Sequence, residues 1–106
     1  RAGALVVDIG SHTVTRGMET VAVTPTEFRL LEEFLRHAGL LLTHGQLLRE
    51  VWGFEYVDAT ELLKPTISRL RQKVEEDPAN PRLIQTVHGV GYRLVLPVEP
   101  ATPDGE

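Results

Sequence analysis

The stretch "TISRLRQKVEEDPANPRLIQTVHGVGYRL", residues 66–94, holds a helical period, a proline-marked stop and two strand-like runs around glycines. Starting just upstream of it, Leu63, Ile67, Leu70 and Val74 recur at steps of four, three and four, which places them on one stripe of an α-helix. That stripe is expected to be buried. Opposite it lie Glu61, Pro65, Ser68 and Gln72, with Lys64 and Arg69 flanking them and Arg71 and Lys73 on the shoulders. The prolines of "EDPANP" end the helix, because neither can continue it. "LIQTV" and "YRLVL" then form a hairpin over 83–96, joined by "HGVG", whose glycines suit positive φ.

Upstream, three helix starts carry the same signature. Asp58 and Glu61 form a candidate capping box that opens the long helix at about 59–76, and Thr43 and Gln46 form another before a short helix at 44–52. Thr24, Pro25 and Glu27 mark the clearest start, for a helix at 25–38 that Gly39 ends. Before it, Leu5, Val7 and Ile9 alternate with Ala4, Val6 and Asp8, and "HTVT" and "TVAV" flank "RGME", so residues 4–23 read as a small antiparallel sheet. Pro65 falls inside the long helix, where a lost hydrogen bond and a ring clash cost about 3 kcal/mol. A kink or a loosened first turn is expected there.

Size and composition limit the partners. The 106 residues suit one core, and 42% hydrophobic with 25% charged residues describes an ordinary folded domain. No apolar run is long enough to span a bilayer and the start lacks signal-peptide order, so the segment reads as cytoplasmic. There is no cysteine, which removes disulfides and thiolate metal sites. The net charge of −4 argues mildly against a polyanionic partner. Its distribution argues the other way. Glu99, Asp104 and Glu106 sit in "EPATPDGE", which reads as a flexible acidic tail over 99–106 and leaves 11 basic against 12 acidic residues elsewhere. Between Leu62 and Val74 there are four cations and no acid. A helix with short or amide side chains rimmed by cations, preceded by a shorter helix, fits a major groove, with a hairpin beside it on the minor groove.

Four blocks carry a family resemblance in order and spacing: "VTPTEFRLL", "QLLREVWG", "ISRLRQK" and "IQTVHGVGYRL". Over about residues 5–96 the chain resembles the winged-helix effector domain of OmpR/PhoB-type response regulators. The resemblance implies an α+β winged helix-turn-helix domain over 1–98: a four-stranded N-terminal sheet, a three-helix bundle and a C-terminal hairpin wing. It implies sequence-specific binding of double-stranded DNA at tandem half-sites for transcription regulation. Arg69 would be the principal base-reading residue, with Lys64, Pro65, Ser68 and Gln72 also facing bases. Trp52, Thr66, Arg71, Lys73, Thr86, His88 and Tyr92 would serve the phosphates or the wing. Phe54, Glu55, Tyr56 and Asp58 would form a loop that touches RNA polymerase. A receiver domain precedes this one in full-length members, so a chain beginning at Arg1 is expected to be a fragment of a phosphorelay protein. Three positions depart from the family pattern: Glu61 where many members have arginine, Lys64 where an acid precedes the proline, and His88 where arginine often reaches the minor groove. Base preference therefore does not carry over, and the wing contact is expected to be weaker and pH-dependent.

Plainer readings stand beside these. A solvated helix face with Arg71 paired to Glu75 explains the cations on spacing alone. Trp52 and Tyr92 suit the core as well as a contact. The acidic net charge, Glu61, His88 and the loop acids Glu55 and Asp58 also fit a winged-helix module that recruits a protein partner, such as RNA polymerase, without binding DNA. His12, His37, His44 and His88 show no metal-ligand spacing, and neither Ser11 nor Ser68 has a base placed near it. No metal, cofactor or catalysis is expected.

Overall fold

The computed structural model of the chain describes residues 5–95 and 98–100. In chain order the elements are β1 (Leu5–Asp8), β2 (Thr13–Arg16), β3 (Glu19–Val21), α1 (Pro25–Arg36), β4 (Leu41–Thr43), α2 (His44–Val51), a 3-10 turn (Phe54–Tyr56), α3 (Thr60–Val74), β5 (Ile84–Val87), β6 (Gly91–Leu94) and β7 (Val98–Pro100). Two sheets flank three helices. One has the order β3-β2-β1-β7 and the other β4-β6-β5.

The N-terminal sheet follows from alternation. Leu5 and Val7 point inward beside Val14, with Val7 opposite Val14 in the antiparallel register. Arg16 pairs with Glu19 across Gly17 and Met18, and Gly17 takes φ +59°, as a tight two-residue hairpin requires at its first central position. Ile9, expected inward, lies at the surface, because β1 stops at Asp8, whose Oδ1 accepts the Ser11 N–H at 3.3 Å. The sheet has four strands, but the fourth is β7, which joins β1 in parallel. That corrects two expectations. The sheet is mixed, and the tail expected from residue 99 begins with a strand at 98–100, where backbone pairing with the exposed edge of β1 satisfies groups a tail would leave to water. Residues 101–106 lie outside those described.

Two capping boxes form as their spacing dictates. Thr24 Oγ1 accepts Glu27 N–H at 3.1 Å while Glu27 Oε1 accepts Thr24 N–H at 2.9 Å. Thr43 and Gln46 repeat the pattern at 3.1 and 2.8 Å. The third box does not form. Ala59 caps α3 with no side-chain bond, and Leu62 N–H reaches back to the Ala59 carbonyl at 3.0 Å. The intervening 3-10 turn, in which Ala59 N–H bonds the Tyr56 carbonyl, moves the helix start past Asp58 and leaves Glu61 free of capping.

Helix α3 runs unbroken through Pro65 to Val74, and of the kink or loosened first turn expected there, the start carries the 3-10-type bond from Leu62 N–H to the Ala59 carbonyl. Pro65 lies only a turn and a half inside the helix, and the carbonyl that loses its partner belongs to exposed Glu61 at the solvent-facing start. Leu63, Ile67, Leu70 and Val74 are buried, as their spacing requires. Each such side chain contributes about 1.5–3 kcal/mol of burial. Helices α1 and α2 meet this stripe with Phe28, Leu31, Phe34, Leu47, Leu48 and Val51. The apolar "LLL" run supplies β4, which pairs with β6 and ties the hairpin to the helices. Gly91 serves that pairing by close approach: a Cβ there would sit 1.9 Å from the Leu42 carbonyl oxygen. Only Gly89 of the two hairpin glycines takes positive φ, +77°.

Candidate nucleic-acid interface

One face of the molecule is formed by the outer side of α3 and the β5–β6 hairpin. Lys64, Pro65, Ser68, Arg69 and Gln72 are all exposed on α3. The side chains of Lys64, Ser68, Arg69 and Gln72 make no hydrogen bond or ion pair with another described residue. Between α3 and the hairpin runs an open groove lined by Glu61, Lys64, Pro65, Ser68, Thr86 and His88, with Tyr92 and His44 at its base. A shallower groove on the other side of α3 brings Arg69 and Pro65 beside Trp52 and Thr24. Two cations and a hydroxyl, those of Lys64, Arg69 and Ser68, thus stand unpaired along these grooves, which suits a ligand rich in acceptors.

The shoulders of α3 behave differently. Arg71 donates through Nε and Nη2 to the Ile84 carbonyl at 3.0 and 2.7 Å, and through Nη2 to Thr86 Oγ1 at 2.8 Å. Its guanidinium also lies over the Tyr92 ring, 5.6 Å from the centroid. Arg71 is therefore not paired with Glu75 and is not a free phosphate anchor; it fastens the hairpin to the helix. The bond has a chemical consequence. A hydroxyl that accepts from Arg71 must aim its own single hydrogen elsewhere, so exposed Thr86 is poised to donate outward.

Lys73 is engaged as well. Its Nζ donates to Glu27 Oε1 at 2.6 Å, and Glu27 is 1% exposed. Burial alone pushes the Glu27 carboxyl up. The hydrogen bonds from Lys73 and Thr24 and the lysine charge outweigh it and hold the carboxyl below its ordinary value. The expected DNA-side role for Lys73 gives way to this pair because α1 presents a buried acceptor within its reach. Thr66, placed among the phosphate contacts, is 6% exposed, and its hydroxyl donates to the Leu62 carbonyl at 2.9 Å. It falls beside the apolar stripe rather than on the outer face.

Tyr92 is buried at the groove floor, with the His44 ring edge-on at 5.7 Å, so it supports the surface more than it extends from it. Trp52 is half-buried against the core and walls the shallower groove. His88 is exposed in the hairpin turn. Phe54, 75% exposed, stands with Glu55, Tyr56 and Asp58 on the connection between α2 and α3, away from the groove lined by the hairpin.

Two functional supports escaped the reading of the residues. Glu75 is buried at the end of α3, and its carboxylate accepts the N–H groups of Arg82, Leu83 and Ile84 at 2.8–3.0 Å, which anchors the start of β5. An acid at a helix C-terminus opposes the macrodipole, and that was the available signal that other donors must meet it. Arg16 Nη2 donates to the Val74 carbonyl and so ties the N-terminal sheet to the same helix end; nothing in its strand pattern announced this.

The family "Transcriptional regulatory protein, C terminal" matches residues 18–94. Transcriptional regulatory protein AfsQ1 of Streptomyces coelicolor is 48% identical over 90% of this chain, and the chain spans 42% of its length. Among solved structures, the Klebsiella pneumoniae RstA DNA-binding domain in complex with the RstA box superposes with a TM-score of 0.79 at 32% identity, covering 90% of this chain and 94% of that one. The response regulator DrrB of Thermotoga maritima, an OmpR/PhoB homologue, gives a TM-score of 0.79 at 31% identity over 88% of this chain and 42% of its own. The chain thus spans less than half the length of the full-length regulators it matches. No helix among the described residues is long and apolar enough to cross a membrane.

Proposed function

This chain belongs to the family of transcriptional regulatory proteins, C terminal, of OmpR/PhoB type, and from that premise we propose that it binds double-stranded DNA sequence-specifically as the output domain of a two-component response regulator. In this reading α3 enters a major groove and the β5–β6 hairpin follows the adjacent minor groove. Arg69 reads a guanine edge, with Lys64, Pro65, Ser68 and Gln72 along the same face. The Thr86 hydroxyl donates to a phosphate oxygen, Lys64 adds charge, and His88 reaches toward the minor groove. The observation that carries the proposal is the outer face of α3, where exposed Lys64, Ser68, Arg69 and Gln72 keep their polar ends unpaired while the neighbouring cations are bound within the fold.

Further parts of the reading concern the whole protein. Two copies occupy tandem half-sites, a receiver domain precedes this one, and the chain works in the cytoplasm with the DNA it reads. The exposed Phe54 and Tyr56 beside Glu55 and Asp58 suit contact with RNA polymerase, since an apolar anchor beside acids repels a polyanion and fits a protein surface. Titration of this chain against labelled duplexes at two salt concentrations tests the core claim. Each phosphate neutralised by a cation should lower affinity about 3- to 4-fold as salt rises from about 50 to about 200 mM. Absence of duplex binding even at the lower salt would overturn the proposal in favour of a module that recruits protein alone.

A further inference from the structure

We infer that Glu61 makes this interface select cytosine at one base pair of its site; the inference rests on the DNA-reading role proposed for α3. Glu61 is the second residue of α3 and is exposed. It borders both grooves, facing Lys64, Ser68 and His88 on one side and Trp52 and Arg69 on the other. Among the described residues nothing pairs with its carboxylate. The capping role that Asp58 and Glu61 were spaced for is absent, Ala59 caps the helix without a side-chain bond, and Glu61 forms no ion pair with Lys64 three residues on.

An unpaired carboxylate at the groove-facing start of the helix meets a polyanion, so it is tolerated only where the ligand offers it a hydrogen-bond donor. On the major-groove edges, donors are confined to N4 of cytosine and N6 of adenine, and adenine places its N7 acceptor beside N6. Guanine and thymine present acceptors that repel a carboxylate. Cytosine alone offers a donor with no adjacent acceptor. Glu61 thus contributes specificity by rejection as much as by attraction, at a base pair other than the one read by Arg69.

Selection of bound duplexes from a random pool, followed by titration of the chosen site and its single-base variants, tests this. The wild-type chain should prefer cytosine at one position by about 5- to 150-fold. Glu61→Ala should lose that preference while keeping the one lost in Arg69→Ala, and Glu61→Gln, of the same size, should move the position toward adenine. Circular dichroism of both variants should match wild type, since the side chain is exposed and unpaired. If Glu61→Ala strengthens binding to every sequence equally and leaves the selected motif unchanged, the carboxylate only repels phosphates and the inference falls. If the wild-type chain selects no sequence at all, the proposed function falls with it, an outcome distinct from the first.

Discussion

Lys64 and Arg69 in the earlier turns of α3, and Arg71 and Lys73 in its last turn, lie within ten residues and carry the same charge. The first two end in solvent without partners, whereas Arg71 is held by Ile84 and Thr86 and Lys73 by Glu27. Position along the helix decides between them, since Lys64 and Arg71, two turns apart, share one face and line the same groove. A cation in the earlier turns meets no protein acceptor, and one in the last turn lies level with β5 or α1 and meets a carbonyl or a buried carboxylate. The lesson is that a basic helix divides into cations that build the surface and cations that present it. Only the second group is available to a ligand.

The division makes mutational effects on stability and on DNA binding run in opposite orders, and the steepest stability loss belongs to the anchor of the hairpin. Glu75→Ala should cost about 3–5 kcal/mol, because it strands three N–H groups at the start of β5, as urea unfolding would show. A loss below about 1 kcal/mol would mean that water replaces the carboxylate. Arg71→Ala comes next, at about 2 kcal/mol, since charge-assisted bonds to Ile84 and Thr86 disappear together. It should weaken binding to all duplexes alike by loosening the Thr86 hydroxyl, without altering the preferred sequence. A changed sequence preference would place Arg71 among the base readers.

The Glu27–Lys73 pair gives a smaller effect with a pH signature. Because the folded carboxyl sits below its ordinary 4.5, the pair stabilises fully at neutral pH. That contribution begins to decline as pH drops past 4.5 and is lost as it falls through the lower folded value. Thermal melts across that range should show Glu27→Gln losing about 1–2 kcal/mol at pH 7 and converging on wild type in acid. Parallel curves would separate the pair from the acid response. Arg69→Ala stands at the far end: its stability should stay within about 0.5 kcal/mol of wild type. Its titration against the selected duplex should nonetheless weaken by about 1–3 kcal/mol, with preference relaxed at one position. Unaltered affinity would remove Arg69 from the interface.

Much of this was readable in advance, for reasons that differ by residue. Leu63, Ile67, Leu70 and Val74 announced the buried face because helical geometry alone relates them. Thr24 with Glu27 and Thr43 with Gln46 announced two helix starts, since capping couples residues three apart. The same rule failed at Asp58 and Glu61, where the preceding 3-10 turn competed for the backbone and moved the start to Thr60. Four ordered motifs carried the family. They did not distinguish Arg71 from Arg69, which differ by two residues and by the whole of their surroundings.

Periodicity, caps and turn residues in the chain therefore established the helices, the hairpin and the inward stripe, because each depends on residues a few positions apart. The fates of Arg71, Lys73 and Glu75, and the joining of Val98–Pro100 to β1, depend on partners brought from distant parts of the chain. Local spacing holds no information about which acceptor, donor or strand edge will arrive beside a side chain. Packing supplies it, and with it the separation of cations that hold the fold from those left exposed.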